Sequence, residues 1–344
     1  MAIKKRFLTL ALTLALLFGV AACGASPAEN GDAQADSGST VEASITVIDQ
    51  AGRSVEIAQP VERLVSGFYI SSSATIALGL SDRLVGIEAR ADERPVYTLM
   101  KPELLSLPNV GTARDFNLEA CIALYPDLVI LPYRLRDAAE TLTDMGIPAI
   151  VVNPESLEEL VAMINLIATA TQTTENANRL VAWIRDTHAA VTAESAVVAD
   201  RPTVYIAGVG SHLSTAPGGM FQSDLIEMAG GINVAADLPG RGWTEISYEQ
   251  LLAMNPDIIV LPSEASYSVD DILNNPTLAD LTAAVNGSVY QMPYTYEAWD
   301  SPVPASMLGA RWLLAVLHGN SPGDEFMRYV YEFYAEFYGF DGLG

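Results

Sequence analysis

The sequence is poor in cysteine, histidine and basic residues, and each shortage excludes a class of protein. The 344 residues include 2 cysteines and 3 histidines, and 18 Lys and Arg stand against 42 Asp and Glu, for a formal charge of −24. Two cysteines cannot form a disulfide framework or a four-thiolate zinc site. The acidic excess argues against nucleic acid as a partner, because phosphate contacts need a basic surface. Half of the residues are hydrophobic, so most of the chain is expected to fold. The length predicts two domains or one large one.

Sequence motifs of several enzyme classes are also missing. The chain has no H-E-x-x-H, P-loop or G-x-G-x-x-G pattern, and each of these patterns carries a specific chemistry. Its G-x-S-x-G match, G-N-S-P-G at 319–323, lies at the junction of two predicted helices and not at the strand-to-helix turn that a nucleophilic serine needs. The histidines stand far apart, at His188, His212 and His318. Cys121 lies in an apolar helical pattern and is predicted to be a buried, inert thiol. We therefore predict no enzymatic activity, no cofactor and no resident metal ion; an extracellular hydrolase and a surface adhesin are the distant alternatives.

The N-terminus has the features of an export signal. Three basic residues at 4–6 precede an apolar run at 7–20, which is too short to span a bilayer comfortably as a helix. Small residues then precede Cys23, as in a bacterial lipobox. We predict a lipoprotein signal peptide at 1–22, lipidation of Cys23, and a flexible tether at 23–43, since that segment is small, polar and acidic. The protein is then extracytoplasmic and anchored by lipid to the cell membrane; the alternative is an ordinary signal with a chance cysteine.

One segment of the chain repeats at an offset of 130 residues. Segments 117–132 (NLEACIALYPDLVILP) and 247–262 (SYEQLLAMNPDIIVLP) are identical at six of sixteen positions. Each is predicted to be a short capped helix, a Pro-Asp stop and a strand buried on both faces. A single repeat of this kind indicates two lobes that are built alike.

The surrounding pattern predicts an α/β fold, with two similar lobes of largely parallel strands joined by one long backbone helix. We predict an N-terminal α/β lobe at 44–155, a helical linker with a long connecting helix at 156–200, and a C-terminal α/β lobe with a C-terminal helix at 201–344. Strands are predicted at 44–48, 63–66, 84–87, 128–131, 149–152, 203–207, 258–261 and 289–292. Helices are predicted at 72–78, 118–124, 137–145, 157–169, 174–197, 222–229, 248–254, 304–317 and 322–340.

Three motifs carry a resemblance to a known family. They are N-L-E…P-D-L-V-I at 117–130, A-G-G-I-N-V at 229–234 and W-T-E-I-S-Y-E-Q-L-L-A-M-N-P-D-I-I-V at 243–260. With the export signal and the two lobes, the chain resembles the helical-backbone substrate-binding proteins of ABC importers, which have a periplasmic-binding-protein fold. The resemblance implies a ligand cleft between the lobes. It also implies an ABC permease and its ATPase as partners of a monomeric binding protein.

The resemblance also implies a docking role for two glutamates. In that family, one glutamate on each lobe contacts arginines of the permease, and Glu119 and Glu249 occupy the matching positions. Charge-assisted pairs with arginine are directional and fix orientation. The alternative is that both carboxylates only complement the dipoles of their helices.

Ligand-binding residues are expected at loops that follow strand ends. The candidates are Tyr69, Arg90, Arg114, His212, Arg241, Trp243, Tyr296 and Trp299. Aromatic rings offer flat apolar walls, and arginines pair with anions. We therefore expect an iron chelate of the ferric-siderophore type as ligand; cobalamin or another corrinoid, haem, a nickel chelate and molybdate are the alternatives.

Overall fold

Two four-stranded parallel sheets form the centres of the two lobes in the computed structural model, which describes residues 43–340 and 342. The strands are β1 (Ser44–Ile48), β2 (Ser54–Ala58), β3 (Leu64–Ser66), β4 (Leu84–Gly86), β5 (Leu128–Pro132), β6 (Ala149–Val152), β7 (Thr203–Ile206), β8 (Ser214–Thr215), β9 (Ile232–Asn233), β10 (Thr244–Glu245), β11 (Ile258–Leu261) and β12 (Val289–Gln291). The helices are α1 (Tyr69–Ala77), α2 (Leu118–Ile122), α3 (Arg136–Asp144), α4 (Leu157–Thr171), α5 (Thr174–Ala196), α6 (Phe221–Met228), α7 (Tyr248–Met254), α8 (Val269–Leu273), α9 (Thr282–Val285), α10 (Ser306–Leu317) and α11 (Asp324–Tyr338).

The two sheets have the same strand order. The first-lobe sheet runs β4-β3-β5-β6 and the second-lobe sheet runs β9-β7-β11-β12, all parallel. In each lobe the first strand of the sheet lies between the second and the third. The order therefore reverses between β3 and β5, and again between β7 and β11, which are the points where such sheets open a crevice for ligands. The prediction of two similar α/β lobes is confirmed.

The sequence repeat corresponds to equivalent elements of the two lobes, α2 with β5 and α7 with β11. The side chain of Asn117 accepts a hydrogen bond from the Ala120 N–H over 2.9 Å, and Ser247 accepts one from the Gln250 N–H over 3.3 Å. Both helices thus have the side-chain caps that the sequence predicts. Cys121 is the buried residue of α2, as predicted, and burial raises the pKa of its thiol to about 12.

A long helix joins the lobes, as predicted. Helix α5 has 23 residues and packs against α4 on one side and against α6 and α10 of the second lobe on the other. Its buried face includes Leu180, Ile184 and Val191, at helical spacing. A helix of this length is about 35 Å long, so it is a stiff connection between the sheets.

The C-terminal helix α11 contacts more than the second lobe, in which the sequence places it. Its Tyr338 hydroxyl shares a hydrogen bond of 2.9 Å with Ser73 Oγ of α1, in the first lobe. Its Phe333 ring lies 4.3 Å from the ring of Trp183 in the connecting helix. The last helix therefore packs against the first lobe and the connecting helix as well as the second lobe.

Several short elements were not predicted from the sequence. Strand β2 pairs antiparallel with β1, and its alternating buried positions, Val55 and Ile57, are a readable strand signal. The two-residue strands β8, β9 and β10 are too short to show any period. The predicted signal peptide, Cys23 and almost all of the tether lie outside the described residues. Within the described part, no helix is both long enough and apolar enough to cross a membrane.

Candidate functional site

A cavity of about 430 Å³ lies where the two lobes meet. Its wall consists mostly of first-lobe residues that directly follow strands: Phe68 after β3, Tyr133 after β5 and Asn153 after β6. Pro302 of the second lobe closes the other side. The cavity is therefore at the carboxyl edge of the sheet beside the β3–β5 reversal, where ligands of open α/β sheets bind.

The polar lining of this cavity is dominated by arginine. Arg134 and Arg136 both line it, and the guanidinium of Arg136 lies 5.1 Å from the centre of the Tyr133 ring. Glu155 is the carboxylate of the lining, and burial, helped by the charge of Glu159, raises its pKa. The raised pKa favours the neutral form of Glu155. A site with this balance of charge attracts an anion, although the chain as a whole is strongly acidic.

Two polar contacts cross between the lobes beside the cavity. The Tyr69 hydroxyl donates a hydrogen bond to Ser301 Oγ over 2.9 Å, and Arg94 Nη1 lies 3.3 Å from Oε1 of Glu264. The Arg94 guanidinium also lies over the Tyr69 ring, 4.0 Å from its centre. Burial raises the pKa of Tyr69 to about 12, so its hydroxyl remains a hydrogen-bond donor at neutral pH.

Buried carboxyl groups lie on both sides of this contact. Glu88 in the first lobe accepts hydrogen bonds of 2.6 Å from the hydroxyls of Ser72 and Tyr97. Asp300 in the second lobe accepts from both the backbone N–H and the hydroxyl of Ser263, over 3.2 and 2.8 Å. Burial raises the pKa of Glu88 and of Asp300. These hydrogen bonds offset part of the cost of burying each carboxyl group.

The arginines and the tryptophan predicted from loop positions are mostly exposed. Arg90 is 72% exposed and pairs with Glu93 on the surface, and Arg114 lies in an exposed loop. Arg241 is also exposed, but its charge acts on Glu155 of the cavity. Trp243 is 38% exposed. None of these four lines the cavity; the ligand-binding roles of all four stay predictions.

Two predicted aromatic residues pack into the core below the cleft. Trp299 is fully buried and its indole N–H donates to the Tyr334 hydroxyl over 2.9 Å. The ring of Tyr296 is buried against Tyr334, with centroids 4.7 Å apart. Tyr334 in turn donates to the buried Glu297 over 3.3 Å. In this arrangement the two side chains anchor the second lobe to the C-terminal helix, and their contact with ligand stays a prediction.

His212 lies near one of the two glutamates predicted to dock on a permease. Its Nε2 is 3.1 Å from the hydroxyl of Tyr248, the first residue of α7, and burial lowers its pKa. Glu119 and Glu249 are both exposed in the first turns of α2 and α7. A hydrogen bond with Ser247 lowers the pKa of Glu249, which favours its ionised form. The docking role of the two glutamates stays a prediction.

The sequence interpretation missed the residues that line the cavity most directly. They are Tyr133, Arg134, Arg136, Asn153 and Glu155. The signal for them was available, since they follow the apolar runs of β5 and β6. The predicted first-lobe candidates, Tyr69, Arg90 and Arg114, lie after β3 and β4, whereas the lining residues follow β5 and β6.

Other concave and acidic features of the molecule fit a ligand site less well. A cavity of about 470 Å³ lies at the ends of α5, α10 and α11, lined by Glu194, Arg311 and Tyr329. It is formed by helix ends and not by the carboxyl edges of the sheets. Among the residues that the structure describes, no group of three or more His, Cys, Asp or Glu side chains is placed to hold a metal ion.

Comparisons with known proteins agree with this architecture. The family model described as periplasmic binding protein matches residues 64–296. The molybdate-binding protein MolA of Haemophilus influenzae is 26% identical over 326 residues, which cover 85% of this chain and 90% of that protein. An uncharacterized ABC transporter substrate-binding lipoprotein of Bacillus subtilis, YvrC, is 27% identical over 265 residues, 75% of this chain and 80% of that protein.

Solved structures have the same fold. The structure of Haemophilus influenzae MolA bound to molybdate superposes with a TM-score of 0.77 and 24% identity, over 86% of this chain and 98% of that one. The similarity covers both lobes and the connecting helix.

Proposed function

This chain belongs to the family of periplasmic binding proteins, and we propose that it is the extracytoplasmic, lipid-anchored substrate-binding protein of an ABC importer whose ligand is a small anion that contains a metal. The observation that carries the proposal is the cavity between the lobes with Arg134 and Arg136 in its wall. A guanidinium presents a planar fork of N–H donors that matches the oxygens of an oxyanion. The protein binds the anion outside the cytoplasm and delivers it to the permease.

Molybdate is our first candidate for the ligand. The cavity of about 430 Å³ is at the small end of the range for ligand sites, which suits an oxyanion better than a corrinoid or a haem. The relative from Haemophilus influenzae that aligns over most of this chain is a molybdate-binding protein. We therefore propose molybdate, one of the alternatives from the sequence, ahead of the ferric siderophore that was expected first.

An anionic ferric complex is the second candidate. Phe68 and Tyr133 give the cavity two aromatic walls, which suit the apolar surface of a chelate. Such a ligand is larger, and it requires the lobes to part at the Tyr69–Ser301 contact. Iron-siderophore transport therefore remains a proposal of second rank, followed by nickel chelates, haem and cobalamin.

The proposal is tested by isothermal titration of the purified protein with molybdate, ferric citrate, a ferric siderophore, nickel–histidine, haem and cobalamin. We expect saturable binding of molybdate that weakens by about tenfold or more in Arg134→Gln and Arg136→Gln, because each variant loses a charged donor. Arg179→Gln is the matched control, since Arg179 is an exposed arginine of the connecting helix and is not part of the cavity lining. Selective binding of a neutral or cationic ligand, or equal affinity in all three variants, would contradict the proposal.

A further inference from the structure

The Arg94–Glu264 pair joins loops that follow corresponding edges of the two sheets. Arg94 follows β4 in the first lobe and Glu264 follows β11 in the second. Arg94 Nη1 donates to Glu264 Oε1 over 3.3 Å, and the hydroxyl of Tyr294 donates to the same oxygen over 3.1 Å. The Glu264 carboxylate of the second lobe is thus bound by Arg94 of the first lobe and by Tyr294 of the second.

The guanidinium of Arg94 uses few of its donors, although it is well buried. Its side chain is 22% exposed, and its contact with Glu264 is its one guanidinium hydrogen bond to the described part of the chain. Arg53 is a useful comparison, because its side chain is 18% exposed. Arg53 makes hydrogen bonds of 2.9 and 2.7 Å to Asp49 and one of 2.6 Å to the carbonyl of Ala149. Arg53 thus uses two of its guanidinium nitrogens in three hydrogen bonds, whereas Arg94 uses one nitrogen in one hydrogen bond.

The other carboxyl groups near Arg94 do not contact it. Glu88 is bound by Ser72 and Tyr97, and Glu297 is bound by Tyr334. Burial raises the pKa of both groups, which favours their neutral forms. Burial also opposes the charge on Arg94, but attraction by Glu264 helps to outweigh it, and the pKa of Arg94 is raised. Arg94 is therefore a fixed positive charge with unused donors at the cleft.

Arg94 lies next to the arginine-lined cavity. Phe68 and Ile70 line that cavity, and Tyr69, between them in sequence, has its ring beneath Arg94. The first turn of α1 thus separates the cavity from the cross-lobe pair.

We propose that Arg94 is an anion-binding residue of the cleft, and that Glu264 occupies the place of a negatively charged oxygen of the ligand on it. This inference rests on the proposed function, because it requires the ligand to be an anion. An entering oxyanion displaces the Glu264 carboxylate, takes both arms of the guanidinium, and accepts the hydrogen bond that Tyr294 gives to Glu264. Glu264 therefore competes with the ligand, and selects against anions that bind Arg94 less well than a carboxylate does.

The test is a double-mutant cycle on Arg94 and Glu264, read by titration of the purified protein with molybdate. We expect Glu264→Gln to lower the Kd by about fivefold or more, the lower end of usual coupling between sites. Arg94→Gln is expected to raise the Kd by about tenfold or more, through loss of a charged donor. In the double variant, Glu264→Gln no longer lowers the Kd, because the Arg94 guanidinium that it would free for the ligand is absent. Glu93→Gln, which removes an exposed carboxylate of the same loop, is the matched control and leaves the Kd unchanged.

The outcomes separate this inference from the proposed function. Molybdate binding that is unchanged or weaker in Glu264→Gln overturns the competition by Glu264 and leaves the proposed function in place. Absence of binding to molybdate and to ferric citrate, in the wild-type protein and in Glu264→Gln alike, overturns both. If circular dichroism shows that Glu264→Gln is unfolded, Glu264→Ala provides the same comparison. If Arg94→Gln is unfolded, Arg94→Lys replaces it.

Discussion

The hydroxyl of Tyr69 donates a hydrogen bond to Ser301 Oγ over 2.9 Å, across a sequence separation of 232 residues. Tyr69 opens the first helix of the first lobe, and Ser301 precedes α10 beyond the second-lobe sheet. The contact therefore holds the two lobes together beside the arginine-lined cavity.

We predict that Tyr69→Phe weakens molybdate binding. The lost hydrogen bond contributes about 0.5–1.5 kcal/mol to the closed arrangement of the lobes, so the Kd is expected to rise by up to about tenfold. Unlike the Arg94–Glu264 pair, this contact offers no charge that the ligand has to replace. Titration calorimetry measures the change, and Tyr125→Phe, at a side chain that is 80% exposed, is the control. An unchanged Kd would mean that the contact does not control closure.

We predict that Glu119→Lys combined with Glu249→Lys abolishes uptake and leaves ligand affinity nearly unchanged. The two carboxylates are exposed at equivalent positions of α2 and α7, so reversing both charges repels arginines of a permease. Ligand uptake by cells that carry the variant measures the effect. Glu140→Lys with Glu336→Lys is the matched control, because both residues are exposed on other helices. Normal uptake by the Glu119/Glu249 variant would remove the docking role.

We predict that Asp127→Ala lowers the free energy of unfolding by about 1–3 kcal/mol. Asp127 Oδ2 accepts a hydrogen bond of 2.8 Å from the backbone N–H of Arg63, just before β3. Its counterpart Asp257 accepts one of 2.8 Å from the N–H of Thr203, at the start of β7. The aspartate of each Pro-Asp pair thus forms a hydrogen bond between its repeat and the start of the neighbouring strand. Urea denaturation measures the loss, and Asp137→Ala, at an exposed position of α3, is expected to change stability by less than about 0.5 kcal/mol.

We predict that Glu297→Gln becomes more stable relative to the wild-type protein as pH rises from 5 to 8. Burial raises the pKa of Glu297 above its ordinary value near 4.5. The folded protein therefore holds this proton more tightly than the unfolded chain, and wild-type stability falls as pH rises from about 4.5 towards the folded pKa. Glutamine does not titrate, so this loss is absent from the variant. Urea denaturation at three pH values measures the difference, and a difference independent of pH would contradict the prediction. Glu140→Gln is the control.

Much of the fold was predictable because its signals are local. The apolar runs that became β5 and β11 are buried on both faces, and side-chain caps mark the starts of α2 and α7. The repeat then identified the two lobes as similar. The C-terminal helix was predicted as an element, but its contact with Ser73 of the first lobe was not, because nothing local to 324–338 specifies a partner.

The site was predictable only in its general position. Strand-end loops were expected to form it, and the four arginines at 90, 114, 134 and 136 are all exposed. Arg134 and Arg136 line the cavity, and Arg90 and Arg114 are not among its lining residues. All four are loop or helix-start arginines, and local sequence does not distinguish them. Their surroundings depend on the conformation of each loop after its strand and on which residues of the other lobe face it.

The sequence by itself determined the lobes, the connecting helix and the family, because periodicity and caps act within a few residues and a repeat is visible in the sequence without any contact between its copies. Tertiary structure alone decided which charges meet. Arg94 and Glu264 are 170 residues apart, and Tyr69 and Ser301 are 232 apart. The free energy of such a pair depends on distance and on burial, and both quantities are set only when the two sheets are brought edge to edge.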